Sequence, residues 1–452
     1  MFDLSILHGK LVTPDGILAG NLYVADGKIA ALTGGETVLE SRESLDAAGK
    51  YLFPGAIDVH AHLNDPGFTW REDFDHGTKA AAAGGVTTVM DMPLQNEPAL
   101  TSAALFQRKD SLVRPKAWTD YAFWGGLVDH NLEELQGLQD AGVTSFKVFI
   151  GPVSPDYCSL NLGQIRRAME TVAGFGGLIG FHAEDYSIVK HEEALAQQEG
   201  RLGRRDFLGT RPVEAELAAI GNVISLMRAT GVRAHICHVS HPDAAELIAQ
   251  AQAEGLPLTA ETCTHYLTFS EEDLLERGML FKCAPPLRSP QARDRLWDYV
   301  ADGTLCCVGS DHSPCAPEEK SESEGTLKAW GGISGIQSVM QAFFDQAVHK
   351  RGFSPTIVAQ RLSEGPARTF GLWGKKGALL PGFDADLVVF DPEREWEITA
   401  GSLYYLNKIS AFVGLKGAGL PETTLLRGAV VFDREKGFSS APSGRLVKRI
   451  SR

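Results

Sequence analysis

The chain has 452 residues, and this length predicts a large barrel with an accessory domain rather than one ordinary core. Lys and Arg number 43 against 57 Asp and Glu, which gives a formal net charge of −14. An acidic protein has no electrostatic reason to bind a phosphate backbone or an anionic membrane surface. We therefore expect neither nucleic acid nor a membrane as a partner.

The start of the chain and its cysteines predict a cytoplasmic protein. Residues 1–10 show no basic segment followed by an apolar run, so we expect no signal peptide. No segment approaches the roughly 18 apolar residues of a membrane-spanning helix. The seven cysteines form no C-x-x-C pair, which suits a reducing compartment where thiols pack as small apolar groups.

The N-terminal segment, residues 4–48, predicts short strands joined by hairpin turns. Polar and apolar residues alternate there, and the steps Asp15-Gly16 and Asp26-Gly27 favour tight turns between antiparallel strands.

The middle of the chain alternates short apolar runs with helical stretches such as Leu162–Ala173. Near-continuous apolar runs are typical of strands that are covered on both faces of a parallel sheet. Eight strands that alternate with helices predict a (β/α)8 barrel of the α/β class. The eight runs are Ala56–His62, Val86–Met92, Asp120–Val128, Thr144–Ile150, Leu178–Ala183, Arg233–Val239, Pro257–Cys263 and Leu305–Asp311.

The C-terminal segment, residues 377–448, returns to the pattern of the N-terminal one, with candidate strands Ala385–Phe390 and Thr424–Phe432. We predict that the two ends of the chain form one small β-sandwich domain from residues 1–53 and 376–452. Residues 54–375 would then form the barrel.

Candidate metal ligands stand at the ends of four of the eight predicted strands. His60 and His62 form an H-x-H pair, and residues two apart in a strand point to the same side. His182 ends the fifth run, His238 lies near the end of the sixth, and Asp311 ends the eighth. Barrel enzymes carry their catalytic groups at these ends, and imidazole and carboxylate bind Zn, Mn, Co or Fe. The set predicts a metal site.

Lys147 lies within the fourth apolar run, between Phe146 and Val148. Burial of an ammonium group is unfavourable and lowers a lysine pKa, so the neutral amine becomes available. A neutral amine can take up carbon dioxide as a carbamate, whose two oxygens suffice to bridge two metals. The alternative is a lysine whose ammonium reaches solvent or a carboxylate.

These motifs resemble the cyclic amidohydrolases, the family of allantoinase, dihydropyrimidinase (hydantoinase) and dihydroorotase, over essentially the whole chain. The resemblance implies two divalent ions, zinc before manganese, cobalt or iron, and a homotetramer. It implies that His60, His62 and Asp311 bind one ion and that His182 and His238 bind the other. It further implies that a carbamate on Lys147 bridges the two.

The residues around the predicted site bear on the substrate. Dihydroorotases carry an arginine at the position of Asn64 to hold a substrate carboxylate, and asparagine cannot replace that bidentate contact, although Arg71 lies nearby in sequence. The stretches SDHSPC and KAWGGISGIQ look like allantoinase, whereas Gln95-Asn96 departs from the usual M-P-L-N. Dihydropyrimidinase or hydantoinase activity therefore remains the alternative.

The resemblance implies hydrolysis of a cyclic ureide, foremost allantoin to allantoate in purine breakdown. We expect Asp311 to act as general base and then general acid. By analogy with the family, we expect contacts with the ring from Asn64, Cys283, Ala284, Ser313 and Gly332. A barrel that serves only as an assembly scaffold is the non-enzymatic alternative, but scaffold relatives have lost metal ligands, whereas all six positions are filled here.

Overall fold

The chain begins with five strands of one sheet. The computed structural model describes residues 1–151 and 157–450. The Asp26-Gly27 turn between the second and third strands has φ values of 51° and 73°, as tight hairpin turns require, which confirms that prediction. The five strands are β1 (Phe2–Thr13), β2 (Gly16–Ala25), β3 (Lys28–Gly34), β4 (Ser41–Asp46) and β5 (Tyr51–Pro54).

Eight parallel strands follow in the described part of the chain and pair in sequence order. Each coincides with one predicted run, with ends that differ by up to three residues. The first and last strands meet where the His62 N–H donates to the His312 carbonyl oxygen at 2.8 Å, which closes the barrel. The strands are β6 (Ala56–Ala61), β7 (Val86–Asp91), β8 (Asp120–Gly126), β9 (Ser145–Phe149), β10 (Leu178–His182), β11 (Arg233–Ile236), β12 (Leu258–Cys263) and β13 (Cys307–Gly309).

Helices surround the barrel and fill the connections between its strands. The α-helices are α1 (Phe74–Ala83), α2 (Ala103–Val113), α3 (Leu135–Ala141), α4 (Leu162–Gly174), α5 (Tyr186–Gln198), α6 (Arg204–Thr210), α7 (Val213–Thr230), α8 (Pro242–Ala253), α9 (Thr264–Thr268), α10 (Glu271–Arg277), α11 (Pro290–Asp302), α12 (Val339–Phe344), α13 (Thr356–Ala359) and α14 (Gly365–Thr369). Short 3-10 turns span Arg114–Lys116, Leu132–Glu134, Met279–Phe281, Pro317–Lys320, Ile336–Ser338 and Ala400–Ser402, and π turns span Asp345–His349 and Gln360–Glu364. In the described residues, none of these helices is both long and apolar enough to cross a bilayer.

The C-terminal strands complete the sheet that the first five strands begin. They are β14 (Leu387–Glu397), β15 (Lys416–Leu426), β16 (Ala429–Asp433) and β17 (Gly437–Phe438). The sheet order is β17-β16-β15-β14-β5-β1-β2-β3, with β4 also paired to β1. The single strand predicted at Thr424–Phe432 is wrong, because Arg427 and Gly428 adopt φ values of 50° and 78° and turn the chain between β15 and β16.

The fold prediction of a (β/α)8 barrel with an accessory β-structure from both chain ends is confirmed. Strands β6 to β9 are buried along their whole length, as their apolar sequences indicate for strands covered on both faces. Inside the barrel, the Trp124 indole packs with Ile57 and Met90 and donates to the Val59 carbonyl oxygen at 2.9 Å. The domain limits at residues 53 and 376 stay a prediction.

A buried charge network joins the accessory sheet to the barrel. Lys376 is 2% exposed, and its ammonium contacts Asp386, before β14, and Asp120 of β8 at 2.8 Å. The Arg427 guanidinium also donates to Asp120, at 2.6 and 2.7 Å. Burial alone would lower the pKa of Lys376, but the carboxylates of Asp386 and Asp120 hold it above its usual value. Lys376 therefore stays charged and links the two parts electrostatically.

Replacement of Lys376 by methionine should lower the free energy of unfolding by about 3–5 kcal/mol, because the three buried carboxylates of Asp120, Asp384 and Asp386 lose their shared cation. The urea midpoint, followed by circular dichroism, measures the change. The control is Lys416→Met, whose ammonium is 3.1 Å from Glu397 and whose side chain is 71% exposed. The control should lose no more than about 1 kcal/mol. Equal losses in the two variants would contradict a special role for Lys376.

Candidate metal centre

The six predicted ligands meet at the carboxyl ends of the barrel strands. They line one cavity of about 480 Å³. Each is at least 92% buried. The ligands, in chain order, are His60 of β6, His62 just beyond it, Lys147 of β9, His182 at the end of β10, His238 beyond β11 and Asp311 beyond β13.

The first group contains His60, His62 and Asp311. The Nε2 atoms of both histidines lie 3.4 Å from Oδ1 of Asp311. One donor atom from each of the three residues fits within 4.8 Å of the others. This arrangement is compatible with one divalent ion held by two imidazoles and a carboxylate.

The second group contains His182 and His238. Nδ1 of His182 faces Nε2 of His238 at 3.0 Å, and their ring centroids are 4.7 Å apart in an edge-on arrangement. The His238 ring lies 5.3 Å from that of His60, which brings the two groups into direct contact. Two nitrogen lone pairs at such a distance can converge on a second cation.

Lys147 is 1% exposed, and its Nζ atom lies 5.1 Å from the centroid of the Phe149 ring. Among residues 1–151 and 157–450, this Nζ atom has no hydrogen-bond partner. The Tyr157 hydroxyl donates to the Lys147 carbonyl oxygen at 2.7 Å and holds the backbone at this point. An isolated buried amine is the feature that a carbamate or another anionic neighbour would satisfy.

Backbone strain marks two of the ligand positions. His238 has φ 37° and Asp311 has φ 42°, in the left-handed region that side chains other than glycine rarely adopt. Such conformations persist only where the surrounding structure imposes them, and they concentrate at functional sites. Here each directs a side chain past the end of a short strand and into the cavity.

Two buried carboxylates orient the histidines, and the sequence interpretation missed both. Glu261 of β12 accepts a short hydrogen bond from Nδ1 of His60, a bond from Nε2 of His235 at 3.2 Å, and the backbone N–H of His238 at 3.3 Å. Glu184 accepts from Nε2 of His182 at 2.9 Å. A carboxylate partner of this kind fixes which ring nitrogen faces the metal. In the sequence, each of these two glutamates could have been noticed as a charged residue at or near the end of an apolar run.

The electrostatics of the site favour neutral imidazoles beside anionic carboxylates. Burial, aided by the Lys147 ammonium, lowers the pKa of His60. Burial would raise the pKa of Asp311, but the neighbouring His60 and His62 hold it well below its usual range. Burial of Glu261 is likewise outweighed by His60 and His235, which lower its pKa to about 2. Neutral histidine and ionised carboxylate are the metal-binding forms.

The residues predicted to contact the substrate differ in whether they line the cavity. Ala284 and Ser313 line the cavity. Cys283 lies next to Ala284 and is buried, and Gly332 packs so closely on Ser313 that a Cβ atom there would lie 2.4 Å from its Oγ atom. Asn64 is fully buried, with φ 55°, and its amide finds no hydrogen-bond partner in the described residues. These assignments stay predictions.

Arg71, the nearby cation in the sequence, is already engaged. Its guanidinium forms a bidentate pair with Glu319 and lies 4.0 Å from the centroid of the Trp330 ring. A guanidinium held on both sides in this way is not a free anchor for a substrate carboxylate.

The donor set fits two divalent ions. Nδ1 of His238 and Nζ of Lys147 are buried without hydrogen-bond partners in the part of the chain that the structure describes. Unsatisfied buried polar atoms are rare in folded proteins, and a bound ion or an added anionic group would satisfy them. Lys147 and His238 line the same cavity as Asp311.

Comparison with known proteins agrees with this geometry. The model of the amidohydrolase family matches residues 51–431. Allantoinases from Escherichia coli are 36% identical over 99% of this chain and 98% of their own length. The solved structure of L-hydantoinase (dihydropyrimidinase) from Arthrobacter aurescens has a TM-score of 0.96 at 31% identity, over 99% of this chain and 100% of that one. Dihydropyrimidinase from Brevibacillus agri has a TM-score of 0.92 at 30% identity over 100% of both chains.

The chain therefore belongs to the amidohydrolase family. Within that family it is a cyclic amidohydrolase, and so an enzyme, which confirms both predictions.

Replacement of Glu261 by glutamine should lower metal affinity about 10- to 100-fold, because His60 loses the charged acceptor that fixes its tautomer. Competition with a chromophoric chelator measures the dissociation constant. The control is Glu254→Gln, which removes a carboxylate from an exposed pair with Arg228. Unchanged metal affinity in the Glu261 variant would show that this carboxylate does not orient the ligand.

Proposed function

We propose that this protein hydrolyses allantoin to allantoate with two divalent metal ions. The observation that carries the proposal is the convergence of six metal-binding side chains in one cavity. Full-length similarity to proteins named allantoinase supports the substrate. Zinc is the metal that we propose first, and manganese, cobalt or iron are alternatives because the same ligand types accept them.

His60, His62 and Asp311 would hold one ion, and His182 and His238 would hold the other. Lys147 would bridge them as a carbamate. Its neutral amine attacks carbon dioxide, a new N–C bond forms, and one proton is released to water. The isolated position of the Lys147 amine among the described residues supports this modification.

Divalent ions in such a centre supply Lewis acidity, which lowers the pKa of water and polarises a carbonyl oxygen. Asp311 accepts a proton as the water oxygen attacks the ring amide carbon. The same carboxyl group returns the proton to the ring nitrogen as the C–N bond breaks.

Recognition of the ring falls to cavity-lining residues that are not metal ligands. Ala284 and Ser313 offer backbone groups and a hydroxyl to the cavity, and Cys283 and Gly332 support them from behind. Asn64, which is fully buried two residues beyond His62, completes the proposed substrate-contacting set. Backbone N–H and C=O groups in fixed positions suit the alternating donors and acceptors of an imide.

A second candidate function is hydrolysis of dihydrouracil or of substituted hydantoins. The structural similarity to L-hydantoinase, with a TM-score of 0.96, favours it. So does Gln95, which lines the cavity where allantoinases usually carry asparagine, and whose Nε2 atom lies 3.5 Å from the Ser313 hydroxyl.

A substrate panel tests the choice. Metal-loaded enzyme is assayed for kcat/KM with allantoin, dihydrouracil, hydantoin and dihydroorotate. We expect allantoin to lead by roughly tenfold or more, which corresponds to about 1.4 kcal/mol of transition-state preference. A lead for dihydrouracil or a hydantoin would replace the substrate assignment and leave the metal chemistry in place. Asp311→Asn is the control and should abolish turnover of every substrate while the circular dichroism spectrum is unchanged.

A separate variant tests the carbamate. Lys147→Ala should bind the second metal poorly and lose nearly all activity, because no bridging anion remains. Millimolar acetate or propionate should restore measurable turnover by supplying a carboxylate in the vacated space. Full activity without added acid would show that Lys147 bridges nothing.

A further inference from the structure

The outer half of the cavity is lined by charged side chains that take no part in metal binding. Lys190 and Glu193 lie on α5, Arg211 follows α6, and Lys282 lies in the segment before α11. The Phe207 ring supports them, with Nζ of Lys282 4.7 Å from its centroid. Glu184 bonds both the Arg211 guanidinium and His182, so this group lies beside the metal centre, within reach of a substituent on a ring held there.

Lys282 uses only part of its hydrogen-bond donor capacity in contacts with the described residues. Its ammonium donates to the carbonyl oxygens of Leu327, at 3.1 Å, and Ala329. These bonds use two of its three N–H groups. Lys282 is 4% exposed and lines the cavity. Burial, with Arg211 and Lys320 nearby, lowers its pKa to about 7, so an additional acceptor would stabilise its charged form.

Arg211 is a second buried donor beside Lys282. Its Nη1 atom donates to Glu184 at 2.5 Å, and its Nη2 atom lies 3.4 Å from Glu193. Its Nε–H group is buried and makes no hydrogen bond with any residue that the structure describes. Arg211 lines the cavity, and its hydrogen bonds to Glu184 and Glu193 use two of its five N–H groups, so donors remain for a partner in the cavity.

Glu193 adds an acceptor to the same wall. Its carboxylate lies 3.0 Å from the Lys190 ammonium and 3.4 Å from the Arg211 guanidinium, and its side chain is 20% exposed. Two hydrogen-bond donors, Lys282 and Arg211, and one anionic acceptor, Glu193, therefore line the same cavity. A substituent that carries both a carbonyl oxygen and N–H groups complements this pattern, whereas a carboxylate offers Glu193 no N–H group and an alkyl group would leave the donors unsatisfied.

We propose that Lys282, Arg211 and Glu193 form a subsite for a neutral urea-type substituent on the hydrolysed ring. The two cationic side chains donate to its carbonyl oxygen, and Glu193 accepts from its N–H groups. This inference rests on the proposed function, since an allantoin ring carries a ureido group at that position. The three residues make the enzyme selective for the substituent and leave the ring chemistry to the metal centre.

The test is the ratio of kcat/KM for allantoin to kcat/KM for unsubstituted hydantoin. Lys282→Met should lower this ratio at least about tenfold, mainly through KM for allantoin, because the methionine side chain offers no N–H. Lys282 also tethers the 327–329 segment, but a loosened segment would affect both substrates and leave the ratio unchanged. Lys282→Arg should recover part of the ratio by restoring a cationic donor.

Lys328→Met is the matched control. Its ammonium pairs with Glu324 at the rim, and its side chain is 69% exposed, so it removes one positive charge without removing a buried donor. In this variant, the ratio of kcat/KM for allantoin to kcat/KM for hydantoin should stay within about twofold of its value in the unmutated enzyme. An equal fall in both variants would overturn the subsite, as would an unchanged ratio in Lys282→Met.

A second variant and a third substrate provide further tests of the subsite. Should Lys282→Met fail to fold, Glu193→Gln is measured instead, and we expect its ratio to fall about threefold or more because a charge-assisted acceptor is lost. A preference for 5-carboxymethylhydantoin over allantoin would overturn a neutral substituent. Hydrolysis of neither allantoin nor hydantoin would refute the proposed function and this inference with it, whereas hydrolysis of both with unaltered ratios would refute the subsite alone.

Discussion

The seam between β6 and β13 is the constraint on which the metal centre depends. The His62 N–H donates to the His312 carbonyl oxygen at 2.8 Å. Ser310 joins the same strands twice, because its N–H donates to Asp58 at 3.0 Å and its hydroxyl donates to the His60 carbonyl oxygen at 3.1 Å. Closure of the barrel at this point places the histidines of the first strand beside the carboxylate that follows the eighth. Ligands from opposite ends of the barrel sequence thus share one space.

The strands and the ligand positions were predictable from local patterns, but the interactions between distant residues were not. Each barrel strand appears in the sequence as a short apolar run, and the predicted ligands lie at or near the ends of such runs. Glu261, in contrast, meets His60 across 201 residues of chain, and Arg211 acquires its role only when α6 packs beside Lys282. These contacts form only when the barrel closes, so the periodicity of the sequence does not predict them. The turn at Arg427 was missed because a non-glycine residue adopts a left-handed conformation there.

The charge of the whole chain and the charge of the cavity have opposite signs. The formal net charge of the chain is −14, yet the cavity is lined by Lys190, Arg211, Lys282 and Lys328 beside the acidic residues Glu193 and Asp311. A cluster of positive side chains in a recess strengthens the local electrostatic field that acts on a small polar ligand. The same recess adjoins histidines whose pKa values are lowered by burial, so the imidazoles stay neutral near neutral pH.

The accessory sheet also has a consequence for biosynthesis. Strand β5 pairs with β14, and these two strands are separated in sequence by the entire barrel. During translation, the backbone N–H and C=O groups along that edge of β5 remain unpaired until nearly the whole polypeptide has left the ribosome. An open strand edge is a template for pairing with other chains. The edge of β5 therefore stays open from the time that β5 leaves the ribosome until β14 follows it, a period that includes the synthesis of every barrel strand.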